Sequence, residues 1–196
     1  MQKIIYNIDK GTKFGKWNDS ISKLIYFDCM ETFLKGVDTS GKVADYGGAN
    51  GNLKKFIPQS ISIDIDTSKK PDIIDNILFH KGNYKLIVIR YVLHYLTVQQ
   101  RYKLFEHLQT FHKGKKVLLI QFVNDGKDFK IKRNNSINET KYFLTSENIK
   151  KLIKPFKTIK KDQISYRVTK EFYKNRLKNE NAMAHDETIH SILMEI

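Results

Sequence analysis

The chain has 196 residues, the size of one ordinary domain, and a formal net charge of +14, from 35 Lys+Arg against 21 Asp+Glu. At 40% hydrophobic it can bury a sizeable core, and with 29% charged residues it has no apolar run near the roughly 18 residues of a membrane span. A single cysteine, Cys29, excludes an internal disulfide and any Cys-based zinc site. The opening stretch Met1–Asn7 runs into Asp9 and Lys10 too soon for a signal peptide. These features predict a soluble protein of a reducing compartment, the cytoplasm.

A basic balance of this size points to a polyanionic partner. Composition offers a second source for it. Lys outnumbers Arg 30 to 5, beside 24 Ile and 14 Asn, which is the mark of A/T-rich codons. Arg, the better phosphate fork, is scarce. Codon usage would spread lysine evenly, yet residues 111–180 hold 19 Lys+Arg against 7 Asp+Glu. That stretch is either an anion-binding face or a solvated, solubilising surface.

No repeat, low-complexity tract or Pro/Ser-rich linker divides the chain, so residues 1–196 read as a single domain. Residues 1–17 read as irregular. Asn18-Asp19-Ser20 opens a helix, with Ile21, Leu24, Ile25, Cys29, Phe33 and Val37 at helical spacing, and residues 1–37 form an N-terminal cap. Residues 42–46 read as a short strand, followed by a glycine cluster and a short helix. Ser60–Asp64 alternates as a second strand, and 71–75 is a weaker third. Leu86–Ile89 is a continuous apolar run suited to a strand buried on both faces of a parallel sheet. Thr97 caps a helix with the apolar face Val98, Tyr102, Phe105 and Leu108. Residues 117–123 form the next buried strand. Residues 124–144 are polar without a clear period, and Asn124 and Asp125 sit where substrate-facing residues follow a strand. Thr145-Ser146-Glu147 opens a helix carrying Ile149, Leu152, Ile153 and Phe156. Residues 163–168 and 188–196 read as two final strands, with a helix from Lys170 to Leu177 and a polar loop between them. Strands alternating with helices predict an α/β sheet. In such sheets ligands sit at the carboxyl ends of the strands, near the switch point.

The informative segment is Val43-Ala44-Asp45-Tyr46-Gly47-Gly48-Ala49-Asn50-Gly51-Asn52-Leu53, running from a strand into a helix. Its glycines let the backbone turn sharply and approach a ligand. About a dozen residues on, the second strand ends in Asp64, where a carboxylate can accept from both ribose hydroxyls of a nucleoside. The dinucleotide fingerprint fits poorly: Gly47 and Ala49 are followed by Asn52 in place of the third glycine.

The run Asp45-x-Gly47-x-Ala49-x-Gly51 instead resembles motif I of the class I S-adenosylmethionine-dependent methyltransferases, with alanine in place of the middle glycine and a negative φ expected there. Ser62-Ile63-Asp64-Ile65-Asp66 is similar to the second motif, with Asp64 as ribose ligand. Pro71–Leu78 resembles the third, which places Asp75, Asn76 and Ile77 beside the adenine. Tyr84–Leu96 resembles the fourth strand and its trailing loop, with Lys85 at the usual acidic position. The resemblance covers roughly residues 40–125.

It implies a single Rossmann-like methyltransferase domain: a mostly parallel sheet with an antiparallel last strand and helices on both faces. Residues 40–125 form the cofactor-binding half and 126–196 the substrate-facing half. The implied cofactor is S-adenosyl-L-methionine, held by Asp45, Gly47, Gly48, Ala49, Gly51, Asp64, Ile65, Asp75, Asn76, Ile77 and Arg90. No metal is implied. His185-Asp186 and His190 lack a further sequence-near ligand and read as loop.

Methyl transfer from a sulfonium is an in-line displacement from an excellent leaving group. Placement alone can supply roughly 7–11 kcal/mol, and a base matters only when the acceptor must lose a proton. Tyr91 and His94 are the catalytic candidates in the loop beside the methyl group. Tyr91 reads as an acid or a wall, and His94 as a base, a substrate contact or a packed ring. Arg90 faces the cofactor carboxylate or an anionic substrate, or else makes a structural ion pair. The loop has none of the Asp/Asn-Pro-Pro-Tyr/Phe, Pro-Cys or Lys-Asp-Lys-Glu signatures of specialised nucleic-acid methyltransferases.

The basic stretch favours an RNA or other polyanionic acceptor. A small-molecule acceptor is the alternative, with residues 1–37 and 169–187 as a lid and Phe129, Tyr142, Phe143, Phe172 and Tyr173 lining a pocket or stacking bases. A non-catalytic methyltransferase-like RNA- or partner-binding module and a nucleotide-dependent oxidoreductase are the readings from other classes.

Overall fold

The computed structural model of the chain describes residues 5–7, 29–123, 144–168 and 185–196. Among these residues eight strands form one sheet: β1 (Ile5–Asn7), β2 (Val43–Tyr46), β3 (Ser60–Asp64), β4 (Ile73–Ile74), β5 (Leu86–Arg90), β6 (Lys116–Val123), β7 (Lys157–Val168) and β8 (His185–Glu195). Their spatial order is β1-β7-β8-β6-β5-β2-β3-β4. Only β8 is antiparallel to its neighbours, inserted between β6 and β7. The sheet is therefore mostly parallel with an antiparallel last strand, as the sequence predicts.

The central strands carry apolar runs because both their faces are covered. All four residues of β2 are buried, as are Leu86–Ile89 of β5. On one face, helix α1 (Cys29–Leu34) brings Cys29, Met30 and Phe33 onto Val43, Leu86, Val88, Leu118 and Ile120. On the other, α2 (Val98–Phe111) and α3 (Ser146–Ile153) pack Leu104, Phe105, Leu108, Ile149 and Leu152 against Ala44, Ile87, Ile89, Val117 and Leu119. Both helices start where the sequence places them. Thr97 and Thr145 each accept from the N–H three residues on, and Gln100 and Asn148 reciprocate, completing two capping boxes.

Four expectations need correction. Residues 5–7 are not irregular, because they pair in parallel with Ser165–Arg167 at the far edge of the sheet. The strand expected at 163–168 begins at Lys157, since the antiparallel partner β8 is long enough to pair all of it across one irregularity at Thr158/Lys160. The strand expected over 71–75 shrinks to Ile73–Ile74. The buried face of α2 is rotated from the expected one: Val98 and Tyr102 are 54% and 52% exposed, while Arg101 and His107 are buried. Polar contacts set that phase. The Arg101 Nε donates to the Leu93 carbonyl at 2.8 Å, and His107 Nε2 lies 2.7 Å from the His80 carbonyl.

The expected helix start at 18–20, the helix 170–177 and residues 124–143 of the polar stretch 124–144 lie outside the described residues, as do Asn124, Asp125 and all five aromatic residues expected to line a pocket or stack bases.

Candidate active site

From β2 the chain steps outward through β3 to β4. After that it returns to β5 on the other flank of β2 and continues to β6. The switch point lies between the carboxyl ends of β2 and β5, where a ligand crevice forms in sheets of this kind. Asp45 and Arg90 stand there, at the ends of these two strands.

The glycine loop is wired to β3. Gly47 N–H donates to the Ile63 carbonyl at 2.8 Å, and Gly51 N–H closes the turn on Gly48 at 2.8 Å. A Cβ on Gly48 would stand 2.7 Å from both the carbonyl oxygen and Oδ2 of Asp45, so only glycine lets the backbone lie this close to the carboxylate. Ala49 has φ 45, which corrects the expectation of a negative value. Its N–H explains the conformation, because it donates to Asp64 Oδ2 at 3.0 Å and ties the loop to the end of β3.

Asp45 is the electrostatic centre. Its side chain is 1% exposed, and Arg90 Nη2 stands 3.7 Å from Oδ2 with 7% of the Arg90 side chain exposed. That distance makes a charge contact and no hydrogen bond. Among the described residues, both Asp45 carboxylate oxygens and the Arg90 Nε and Nη1 have no hydrogen-bond partner. Burial pushes the Asp45 carboxyl up to about 6, against the opposing pull of Arg90 and helped by the charge of Asp64. Buried polar atoms are ordinarily paired, so an acceptor and a donor group left open side by side at a switch point mark a place for a ligand carrying both charges.

Asp64 is half-buried and takes a second backbone N–H, from Asp66, at 2.9 Å. Both its oxygens keep lone pairs for further donors. Ile65 beside it is 69% exposed, a large apolar side chain with an open face at the sheet edge. Asp75 and Asn76 are engaged elsewhere. Asp75 accepts from Asn76 N–H at 2.7 Å and meets His80 Nδ1 at 2.7 Å, contacts that hold its carboxyl below the usual range. Asn76 Oδ1 accepts from Leu78 N–H at 3.0 Å, and Ile77 is buried.

Tyr91, with φ 56, stacks its ring on Phe122 at 4.4 Å and is buried. His94 packs on Tyr95 at 4.1 Å and edges onto the same Phe122 at 6.3 Å, so the two catalytic candidates share one aromatic wall beside the switch point. His190 is buried and lies 3.4 Å from Ser146 Oγ. No cluster of three or more metal-ligating side chains occurs among the described residues.

The sequence reading missed Gln121 and Arg101. Gln121 sits in an otherwise apolar strand, and that interruption was the signal. Its Oε1 accepts from Leu93 N–H while Arg101 donates to the Leu93 carbonyl, so the turn carrying His94 is clamped from both sides.

No family model matches the sequence, and no curated protein matches it. Solved structures do. Coclaurine N-methyltransferase bound to N-methylheliamine and S-adenosylhomocysteine superposes at TM-score 0.63 with 10% identity, over 93% of this chain and 76% of that one. The N-methyltransferase NodS from Bradyrhizobium japonicum gives 0.58 and 12%, over 92% and 100%. Magnesium protoporphyrin IX methyltransferase from Synechocystis gives 0.55 and 13%, over 94% and 86%. The chain shares its fold with these methyltransferases. In this fold the Asp45–Arg90 pair stands at the switch point, and the Asp64 carboxylate stands at the end of the neighbouring strand β3. No described helix is long and apolar enough to cross a membrane.

Proposed function

We propose that this protein is an S-adenosylmethionine-dependent methyltransferase acting on a small-molecule acceptor. The observation that carries the reading is the buried pair Asp45 and Arg90, whose carboxylate oxygens and guanidinium Nε and Nη1 have no hydrogen-bond partner among the described residues, under a glycine loop that Asp64 ties down. An amino acid's ammonium and carboxylate complement that pair in charge. Two hydroxyls of a ribose suit Asp64, and the exposed Ile65 offers an apolar face to an adenine. Asn76 and Ile77 stand at the same edge, with Asp75 as their anchor to His80. The donor set therefore fits S-adenosylmethionine. When bound, that cofactor supplies an electrophilic methyl on a cationic sulfonium, open to in-line displacement by an acceptor lone pair. The protein's part is placement and exclusion of water by the Tyr91–Phe122–His94 wall.

The small-molecule reading draws on two facts. Three solved neighbours are described as methyltransferases of coclaurine, magnesium protoporphyrin IX and 1,6-didemethyltoxoflavin. Also, five lysines of the basic stretch lie at the edge of the sheet away from the site. Lys113, Lys115 and Lys116 precede or open β6, and Lys154 and Lys157 precede or open β7. Arg90 is in register with Ile120, four residues and roughly 13 Å up the strand from Lys116. These five lysines of the basic stretch thus stand at the amino ends of the strands, while Lys160, Lys161 and Arg167 run along β7 to its carboxyl end. The basic segments 127–133 and 170–178 lie outside the described residues and keep a polyanionic acceptor as the second reading.

Calorimetry with S-adenosylhomocysteine, followed by incubation of the protein with methyl-labelled S-adenosylmethionine and fractionated cell extract, tests both. Binding with label in the small-molecule fraction is the expected result. Label in RNA would overturn the acceptor assignment. Absence of S-adenosylhomocysteine binding would overturn the enzyme and favour a binding module.

A further inference from the structure

The turn after β4 carries a polar chain that leads from the cofactor edge into the core. Ile74 is in register with Asp64, and Asp75 N–H donates to the Asp64 carbonyl at 3.1 Å, so the two carboxylates belong to adjacent strand ends. The turn is held at several points. The Asn76 carbonyl accepts from Phe79 N–H at 2.9 Å and from His80 N–H at 3.0 Å. The His80 carbonyl accepts from His107 Nε2 at 2.7 Å, which fixes it to α2. The His80 side chain is 7% exposed, and both its ring nitrogens are engaged. Nδ1 lies 2.7 Å from Asp75 Oδ2, and Nε2 lies 2.9 Å from the Tyr84 hydroxyl. Tyr84 is buried in turn, and Gly82 lies so close to its ring that a Cβ there would run into Cε2.

The roles along the chain follow from donor chemistry. A carboxylate only accepts, and the contacts of Asp75 keep its carboxyl below the usual range, so Nδ1 carries the proton that Asp75 receives. The neutral ring then accepts at Nε2, and the Tyr84 hydroxyl donates. Asp75 Oδ1 accepts from Asn76 N–H at 2.7 Å, so both oxygens are pinned and the plane of the carboxylate is fixed. Each oxygen has a further lone pair, and 45% of the side chain is exposed. Asp75 thus presents a rigid edge that only accepts. We propose that His80, braced by Tyr84, is a positioning residue that sets this edge against the base of the bound nucleoside, so that the site takes a 6-amino purine and rejects its 6-oxo counterpart. A nucleoside with its ribose on Asp64 lays its base over the neighbouring strand end, toward Asp75. A 6-amino group donates to the carboxylate, whereas a 6-oxo group sets acceptor against acceptor and leaves both unpaired. A 6-oxo purine carries its donor at N1, one ring atom away, and only a carboxylate able to swing could follow it. The pinning by His80 is therefore what makes Asp75 selective.

The inference rests on the proposed S-adenosylmethionine site and deepens it. Calorimetry of the full chain with S-adenosylhomocysteine and with its 6-oxo analogue, S-inosylhomocysteine, reads the preference directly. Wild type is expected to favour the 6-amino ligand at least tenfold. His80→Leu frees Asp75 and is expected to bring the two affinities within about threefold of each other. In His80→Asn the amide N–H stands where Nδ1–H stood, and the preference is expected to stay within about threefold of wild type. Tyr84→Phe keeps the ring beside Gly82, removes only the hydroxyl, and is expected to lose about threefold of the preference. A merely structural role would weaken both ligands together and leave their ratio alone. An unchanged ratio in His80→Leu would therefore overturn the proposal, as would a wild type that binds both ligands equally. Should His80→Leu fail to fold, two measurements decide in its place. One is the ratio in Tyr84→Phe, where an undiminished preference would overturn the bracing. The other is two-bond nitrogen–proton NMR of wild type with 15N-labelled histidine, His80 being assigned by comparison with His80→Asn. A His80 ring protonated at Nε2 alone would overturn the chain, and that spectrum needs no cofactor. A wild type that binds neither ligand would overturn the methyltransferase reading and this inference with it, whereas binding of S-adenosylhomocysteine without preference would remove the inference alone.

Discussion

Replacing Asp45 by Asn tests the electrostatics of the site. Burial lifts this carboxyl from 3.8 to about 6, so between those values the folded chain holds a proton that the unfolded chain has released. Stability from this group therefore rises as pH falls through 6. Two pH units correspond to ~3 kcal/mol in full, of which roughly 1.3 kcal/mol is gained between pH 7 and pH 5. The lowered carboxyls Asp72 and Asp75 stay ionised in that window in both states and contribute no slope. His112 works the other way. Burial lowers it, so its stabilising effect is present above 6.5 and is lost as pH falls toward its folded value. Because His112 is common to wild type and Asp45→Asn, the difference between the two proteins isolates Asp45. The expected result is a wild-type Tm that gains roughly 3 °C on the variant between pH 7 and pH 5. The same ionisation governs ligand affinity. At pH 5 about one Asp45 in ten is charged, so S-adenosylhomocysteine binding is expected to weaken about tenfold in wild type and to stay flat in Asp45→Asn. Parallel Tm profiles together with parallel affinity profiles would refute the assignment of Asp45 as a buried carboxyl facing a ligand cation.

Asp64→Ala is expected to weaken S-adenosylhomocysteine at least tenfold by calorimetry, because a buried hydroxyl pair loses its acceptor and the Ala49 N–H loses its anchor; unchanged affinity would remove Asp64 from the site. Gly48→Ala sets a Cβ 2.7 Å from the Asp45 carbonyl oxygen. The expected cost is about 1–3 kcal/mol in chemical denaturation, with impaired cofactor binding, and an unmoved midpoint would show that the loop is looser than its geometry. Lys113→Glu with Lys116→Glu is expected to leave both cofactor binding and KM unchanged, since these residues stand at the amino edge of β6. A tenfold rise in KM would place substrate on that edge.

Much of this protein is legible from local pattern. The strands over 43–46, 60–64 and 86–90 follow from continuous or alternating apolar runs, and the two capping boxes follow from Thr97 and Thr145, because these signals act within a few residues. Asp45, the glycines and Asp64 were readable for the same reason: a tight strand-to-helix turn and a carboxylate at a strand end need particular residue types at fixed spacing. Tertiary structure decided the rest. The rotated face of α2 depends on carbonyls of Leu93 and His80, 8 and 27 residues from their partners. The Ala49 φ depends on Asp64, 15 residues on. The orientation of Gln121 depends on Leu93, 28 residues back. The charge of residues 111–180 was countable in the sequence, but its position was not, because only the parallel register of β5 and β6 sets Lys116 below Arg90, while the pairing of β7 with β8 carries Arg167 to the opposite end of the sheet. Local spacing specifies which backbone conformations are cheap, and the folded sheet decides which distant polar groups must satisfy one another.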